Sequence, residues 1–244
     1  MLLPNQKITL SQSPETSTRA SPDSYFCTTY PPLEKDTYIT EIAALPGVSV
    51  DYIHHIILNV HEKPLLNHVI PIDPNQNSKS TYFNTPYNCK HTITFDSTKE
   101  HTTYYAWAMN ANPLKLPSDS AFKVKKGYSF QLEVHYLSAV SKIEGLEEIS
   151  PGLELEILSS NQKPEYLVGT WYVGAEEFKI PPFTANYPVD ISAKVPRDLT
   201  IFAARVHAHQ WSKTNTAYVK RKKKVFQLPV ATPIATGLLM SVMK

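Results

Sequence analysis

This chain of 244 residues lacks most of the features that place a protein quickly, and each gap is informative. Its net charge is only +2 at pH 7, too small to imply a nucleic-acid or membrane-surface partner. No apolar run approaches the roughly 20 residues that a transmembrane helix needs, and the ending Ala235-Thr236-Gly237-Leu238-Leu239-Met240-Ser241-Val242-Met243 is far too short. The start, Met1-Leu2-Leu3-Pro4-Asn5-Gln6-Lys7, has no sustained apolar stretch of the signal-peptide kind, and there is no Asn-x-Ser/Thr sequon. Cysteine is reduced to Cys27 and Cys89, compatible with two free thiols in a reducing compartment or with one disulfide in an oxidising one. Glycine is scarce as well, 7 residues against 20 prolines, so proline does most of the punctuation.

What is present is β-forming. Fourteen tyrosines, with many Val, Ile and Thr between Pro-marked breaks, predict short strands and an all-β fold. Residues 1–22, rich in Ser, Thr, Pro and Gln, read as an N-terminal arm or peripheral strand. Strands are then expected over Ser24–Tyr30, Thr37–Ile42, Val48–Val60, Thr102–Asn110 and Tyr128–Tyr136. Residues 61–101 collect Pro, Asn, Ser and Lys, and His61, His68, His91 and His101 read there as surface histidines. A polar stretch from Ser138 to Gly152 marks a domain junction. Further strands are expected at Leu153–Leu158, Tyr166–Val173, Val189–Lys194 and Phe202–His209. The basic string Lys220-Arg221-Lys222-Lys223-Lys224 reads as a solvated turn.

Three places carry histidines in strand contexts. In Phe202-Ala203-Ala204-Arg205-Val206-His207-Ala208-His209, side-chain alternation puts Ala203, Arg205, His207 and His209 on one face. Two imidazoles at i, i+2 can aim at one ion, with Arg205 beside them to hold a carboxylate. His54-His55 lies inside an apolar run, where polar side chains are costly unless bonded. Neighbouring strand residues face opposite ways, so both can serve one metal only at a strand end or a bulge; otherwise one is a bonded core histidine and the other faces water. In Phe130-Gln131-Leu132-Glu133-Val134-His135-Tyr136, alternation buries Phe130, Leu132, Val134 and Tyr136. It turns Gln131, Glu133 and His135 outward, with Glu133 near enough to support a ligand.

In chain order these segments form a series: Asp23-Ser24-Tyr25-Phe26-Cys27, Ile53-His54-His55-Ile56-Ile57-Leu58, Tyr105-Ala106-Trp107-Ala108-Met109-Asn110-Ala111-Asn112-Pro113, Leu132-Glu133-Val134-His135-Tyr136, Ile180-Pro181-Pro182 with Asp190-Ile191-Ser192, and Ala204-Arg205-Val206-His207-Ala208-His209. The series resembles the copper type II, ascorbate-dependent monooxygenases, most closely the peptidylglycine α-hydroxylating branch. The resemblance runs from about residue 5 to about residue 220 and implies two antiparallel, jelly-roll-like β-sandwich domains, the second incomplete here. The expected division is 1–22 arm, 23–142 first copper-binding domain, 143–224 second copper-binding domain and 225–244 divergent tail.

By that resemblance one copper, the electron relay, falls to His54, His55 and His135. A second copper, where oxygen and substrate react, falls to His207 and His209 with a distant methionine. Arg205 matches the arginine that grips the substrate's C-terminal carboxylate, which separates this chain from the dopamine β-hydroxylase branch. The implied activity is hydroxylation of the α-carbon of C-terminal glycine in peptides, with ascorbate as reductant and O2 as co-substrate. All-imidazole sites suit copper, and a thioether favours Cu(I). Cys27 and Cys89 fall where the family places one disulfide, implying a secretory or extracellular location, and His61 stands where the family has another cysteine.

The pattern also breaks. Only 35 residues follow His209, and Met240 and Met243 lie in a setting unlike that of the family's ligand, so the second site is expected to lack its methionine. The chain is expected to be a fragment or variant, with a separate lyase needed to complete amidation. Alternatives are a copper-binding relative with impaired catalysis, a dopamine β-hydroxylase-like enzyme, and a non-enzymatic extracellular β-sandwich module.

Overall fold

The computed structural model describes residues 2, 4–12, 23–47, 50, 53–62, 83–89, 101–109, 111–137, 152–173, 178–195, 198–205, 213–228 and 239–243. The chain is all-β, with no α-helix among the described residues, and no helix there is long and apolar enough to cross a membrane. It divides into two compact units, Met1–Glu165 and Tyr166–Lys244.

The first unit contains β1 (Gln6–Gln12), β2 (Asp23–Thr29), β3 (Thr37–Leu45), β4 (Ile53–His61), β5 (Pro86–Asn88), β6 (His101–Ala108), β7 (Leu114–Lys115), β8 (Ser120–Val124), β9 (Ser129–Leu137) and β10 (Leu153–Ser160). One antiparallel sheet runs β1-β10-β3-β8, with β7 also pairing β3; the other runs β5-β2-β9-β4-β6. The sheets lie face to face. Gln12 of β1 donates from Nε2 to the Phe26 carbonyl (3.2 Å) and to Thr28 Oγ1 (3.0 Å), both on β2, and accepts at Oε1 from the Tyr136 hydroxyl of β9 (3.2 Å). Tyr104 of β6 stacks on Phe122 of β8, centroids 4.6 Å apart. Burial pushes the Tyr104 hydroxyl pKa up to about 12. Between the sheets lie Ile39, Ile42, Phe122, Leu132, Val134, Leu155 and Ile157, all fully or almost fully buried. Gly127, at φ 85°, turns the chain from β8 toward β9 and donates to the Leu33 carbonyl (2.8 Å).

β10 shows the alternation of a half-buried strand: Leu153, Leu155 and Ile157 are buried while Glu154 is exposed. It pairs with β1 and β3, so the strand that the sequence pattern attaches to a second domain lies in the first unit, and of the two readings of the N-terminal stretch, arm or peripheral strand, residues 6–12 are the strand, at a sheet edge. The physical reason is that Leu10 and Gln12 reach buried positions only through the pairing Leu10↔Leu155 and Gln12↔Leu153, a partner more than 140 residues away.

The second unit contains β11 (Tyr166–Tyr172), β12 (Thr200–Arg205), β13 (Ala217–Arg221), β14 (Lys224–Leu228) and β15 (Leu239–Met243). β15 pairs antiparallel with both β11 and β12. β13 and β14 form a hairpin whose turn is Lys222-Lys223, with Lys222 at φ 53°; the whole basic string Lys220–Lys224 is exposed, as a solvated turn requires. The strand expected at Val189–Lys194 is absent: these residues form no ladder, and Val189 and Ile191 are exposed. Alternation at Val189, Ile191 and Ala193 satisfies the pattern, but a strand also needs a neighbour for its backbone hydrogen bonds, and none pairs with this segment among the described residues.

Candidate metal centre

β4 and β9 are adjacent central strands of the five-stranded sheet, and both of their faces are buried. The inner face carries Ile56, Leu58 and Val60 on β4 and Phe130, Leu132, Val134 and Tyr136 on β9. The opposite face is polar: His55 stands across from His135, Ile57 from Glu133, Asn59 from Gln131 and His61 from Ser129. The alternation read from the sequence is therefore present, but its polar half does not face water. His135 is 6% exposed, Gln131 1% and Glu133 0%.

The decisive local feature is a β-bulge. The register passes from Ile53↔Tyr136 directly to His55↔His135, which leaves His54 as the extra residue on its strand. In an unbroken ladder His54 and His55 face opposite ways; the inserted residue brings both rings to one side. His54 Nδ1 lies 3.1 Å from His55 Nδ1 and 3.2 Å from His135 Nδ1. The ligand atoms of all three lie within 4.8 Å of one another. Nitrogens bound about 2.0 Å from one ion at near-tetrahedral angles lie about 3.3 Å apart, so the spacing fits a shared cation. His54 is partly exposed, while His55 and His135 are buried, leaving a site that is walled on one side and approachable from the other.

Neighbouring groups fix the rings. Tyr25 of β2, in register with His135, stacks on its imidazole with centroids 4.1 Å apart and planes 9° from parallel. Glu133 Oε1 lies 3.7 Å from His55 Nε2, the nitrogen that faces away from the cluster. Cys27 stands across from Glu133 and is bonded to Cys89, with Cα atoms 5.8 Å apart; Cys89 also donates its backbone N–H to the Tyr25 carbonyl (2.9 Å). The disulfide thus anchors the chain beside the strand that presents Tyr25.

Farther along the same face His61 is buried, its Nε2 3.1 Å from Gln131 Oε1. Gln131 donates to the Tyr87 hydroxyl (3.0 Å), and Thr103 donates to Asn59 Oδ1 (2.7 Å). The surface location expected for His61 is wrong: the outer face of the sheet is covered at this point, and His61 is buried there against Gln131. His101 stands opposite His61 on β6, and His68 and His91 lie outside the described residues. The sequence reading includes Tyr25 and Gln131 but gives neither a part in the site; the available signal for Tyr25 was its even spacing from Cys27, which puts both on one strand face.

Of the other expected site residues, Arg205 is the last residue of β12, opposite Leu239 of β15, while Met240 stands opposite Ala204 and Met243 opposite Thr200. His207 and His209 lie outside the described residues.

Fold and cluster together define a class: an all-β sandwich protein with a three-imidazole site able to hold a metal ion. Comparison with known proteins adds a relation to a monooxygenase family. The chain is 26% identical over 202 residues to peptidylglycine alpha-amidating monooxygenase of Rattus norvegicus, covering 80% of this chain and 18% of that protein. The Mus musculus protein matches with the same identity and coverage, and peptidyl-glycine alpha-amidating monooxygenase A of Xenopus laevis is 26% identical over 207 residues, 83% of this chain and 20% of that protein. The chain spans about a fifth of the length of these curated relatives. No family model matches it.

Proposed function

We propose that this chain is a copper- and ascorbate-dependent monooxygenase unit that hydroxylates the α-carbon of a C-terminal glycine in peptides, the first step of peptide amidation. The observation that supports it most is the convergence of His54, His55 and His135 through a bulge, in a chain similar to peptidylglycine alpha-amidating monooxygenases. Three imidazole donors with no thiolate or carboxylate among them suit copper. Copper held by these three histidines would supply one-electron transfer.

In this proposal His54, His55 and His135 hold the relay ion through Nδ1. His207 and His209 hold the second copper, and Arg205 grips the peptide carboxylate by a charge-assisted, two-pronged hydrogen bond. Ascorbate supplies electrons, O2 is the co-substrate, and a separate lyase completes amidation. The Cys27–Cys89 disulfide favours an oxidising, secretory setting for the enzyme.

Copper stoichiometry and ascorbate-dependent oxygen consumption with a glycine-extended peptide test this together. Two ions and consumption abolished by His207→Ala are expected. One ion without peptide-dependent consumption is the outcome for a catalytically impaired copper-binding relative, and no bound ion leaves a β-sandwich interaction module.

A further inference from the structure

We propose that Glu133 is a positioning residue for the three-histidine site, serving as the buried counter-charge that orients His55 and biases the site toward a divalent ion. The inference rests on the metal assignment proposed above and goes beyond it. Glu133 has no exposed surface, and burying a carboxylate is costly unless a positive charge or hydrogen-bond donor faces it. Its Oε1 lies 3.7 Å from His55 Nε2. His55 Nδ1 faces His54, so an ion held at Nδ1 requires the imidazole proton on Nε2, the nitrogen nearest the carboxylate.

The backbone makes this arrangement specific. Glu133 and His135 are two apart on β9 and so share a face, and His135 is directly opposite His55 across the ladder. The carboxylate therefore reaches one ligand from the strand that supplies another. At 3.7 Å the carboxylate is beyond hydrogen-bond distance and acts on the imidazole through its charge, favouring the ring orientation that turns Nε2–H toward it and raising the ring's basicity. Its charge also favours Cu(II) over Cu(I), because three neutral imidazoles leave the full ionic charge in a buried setting.

The test is anaerobic copper titration of the whole chain and its variants, followed by spectroscopy and competition for Cu(I), with no turnover needed. In Glu133→Gln, which keeps shape and removes charge, Cu(II) affinity at the trio should fall 10–100-fold, the range typical of such outer partners, with a smaller loss for Cu(I). Each tenfold difference between the two losses raises the site's potential by about 59 mV. Glu133→Asp should retain the Cu(II) preference, since it retains the charge. The metal-free Glu133→Gln chain should unfold no earlier than the parent, which separates an effect on the ion from damage to the fold. Unchanged Cu(II) affinity and potential in Glu133→Gln, or Asp and Gln variants that behave alike, would overturn the role of Glu133 while the trio stands. A parent chain whose copper stoichiometry and spectrum are unaltered by His135→Ala would overturn the metal assignment and this inference with it.

Discussion

The two units differ in how firmly the strands that carry or precede their histidines are held. In the first, β4 and β9 are central, paired on both edges and buried on both faces, and the ladder register determines where each ring lies. In the second, Ile201, Phe202, Ala203 and Ala204 of β12 are each half-buried, and the pairing with β15 shifts between Ile201 and Ala203. The difference teaches that in the first unit ligand convergence follows from ladder register more than from ligand spacing, since both neighbours of β4 fix where each ring lies. His54-His55, an unpromising spacing on a regular strand, converges because one residue is inserted between fixed neighbours. His207-Ala208-His209 has the better spacing and a less confined strand leading to it.

The largest expected effect breaks the first side of this comparison. The Cys27–Cys89 bond closes a 62-residue separation, which in the chain-entropy model contributes about 4 kcal/mol. Replacing both cysteines by alanine should lower the stability of the first unit by that order, read as a lower denaturant midpoint in equilibrium unfolding. Tyr25 fluorescence or near-ultraviolet dichroism should report the loss, since Tyr25 packs beside Cys27 and stacks on His135.

Next in size is the loss of a ligand. His54→Ala, His55→Ala or His135→Ala should each remove one copper equivalent, weakening binding by more than about a hundredfold, beyond what outer partners typically cost. His54→Ala should cost least stability because its ring is partly exposed, whereas the buried His55 and His135 leave voids. Arg205→Ala addresses the other unit. Each hydrogen bond of the two-pronged grip is worth about 1.5–3 kcal/mol, so losing the pair should raise peptide KM by at least roughly tenfold with copper loading intact. If KM is unchanged, Arg205 has no part in holding substrate and the proposed contrast between a relay site and a substrate site fails.

The sequence itself revealed the strand content and most strand positions, because Val, Ile, Thr and Tyr alternate between Pro-marked breaks. It also showed the even spacing of Glu133 and His135 and the doublet His54-His55. What it did not reveal is non-local. The bulge at His54 is a property of the pairing with β9, and a doublet alone leaves open whether the rings share a face. The burial of His135 and His61 depends on what covers the outer face of the sheet, which strand periodicity cannot report. The capture of Gln6–Gln12 by β10 requires a partner far along the chain, and the same pairing draws Leu153–Ser160 into the first unit. Val189–Lys194 fails in the opposite sense: a local pattern without a neighbour to complete it.

The smallest effect concerns a surface pair in the first unit, away from the buried ladder. Asp36 sits before β3 and accepts hydrogen bonds from Lys123 Nζ (2.6 Å) and from the Lys126 backbone N–H (2.9 Å). The Lys123 hydrogen bond first, then the Lys126 N–H, holds the Asp36 carboxyl below its ordinary pKa, and Asp36 in turn raises that of Lys123. A carboxyl whose folded pKa is depressed contributes stability above its unfolded pKa and loses it as pH falls through the folded value. The difference in melting temperature between the parent and Asp36→Asn should therefore be present at about pH 6 and disappear toward about pH 2. Because the group is exposed, the difference should be small and should shrink further in 1 M salt, where the Debye length is about 3 Å. A large, salt-insensitive loss at pH 6 would place the β3 entry among the constraints that shape the site, and would narrow the contrast between exposed and buried parts of this unit.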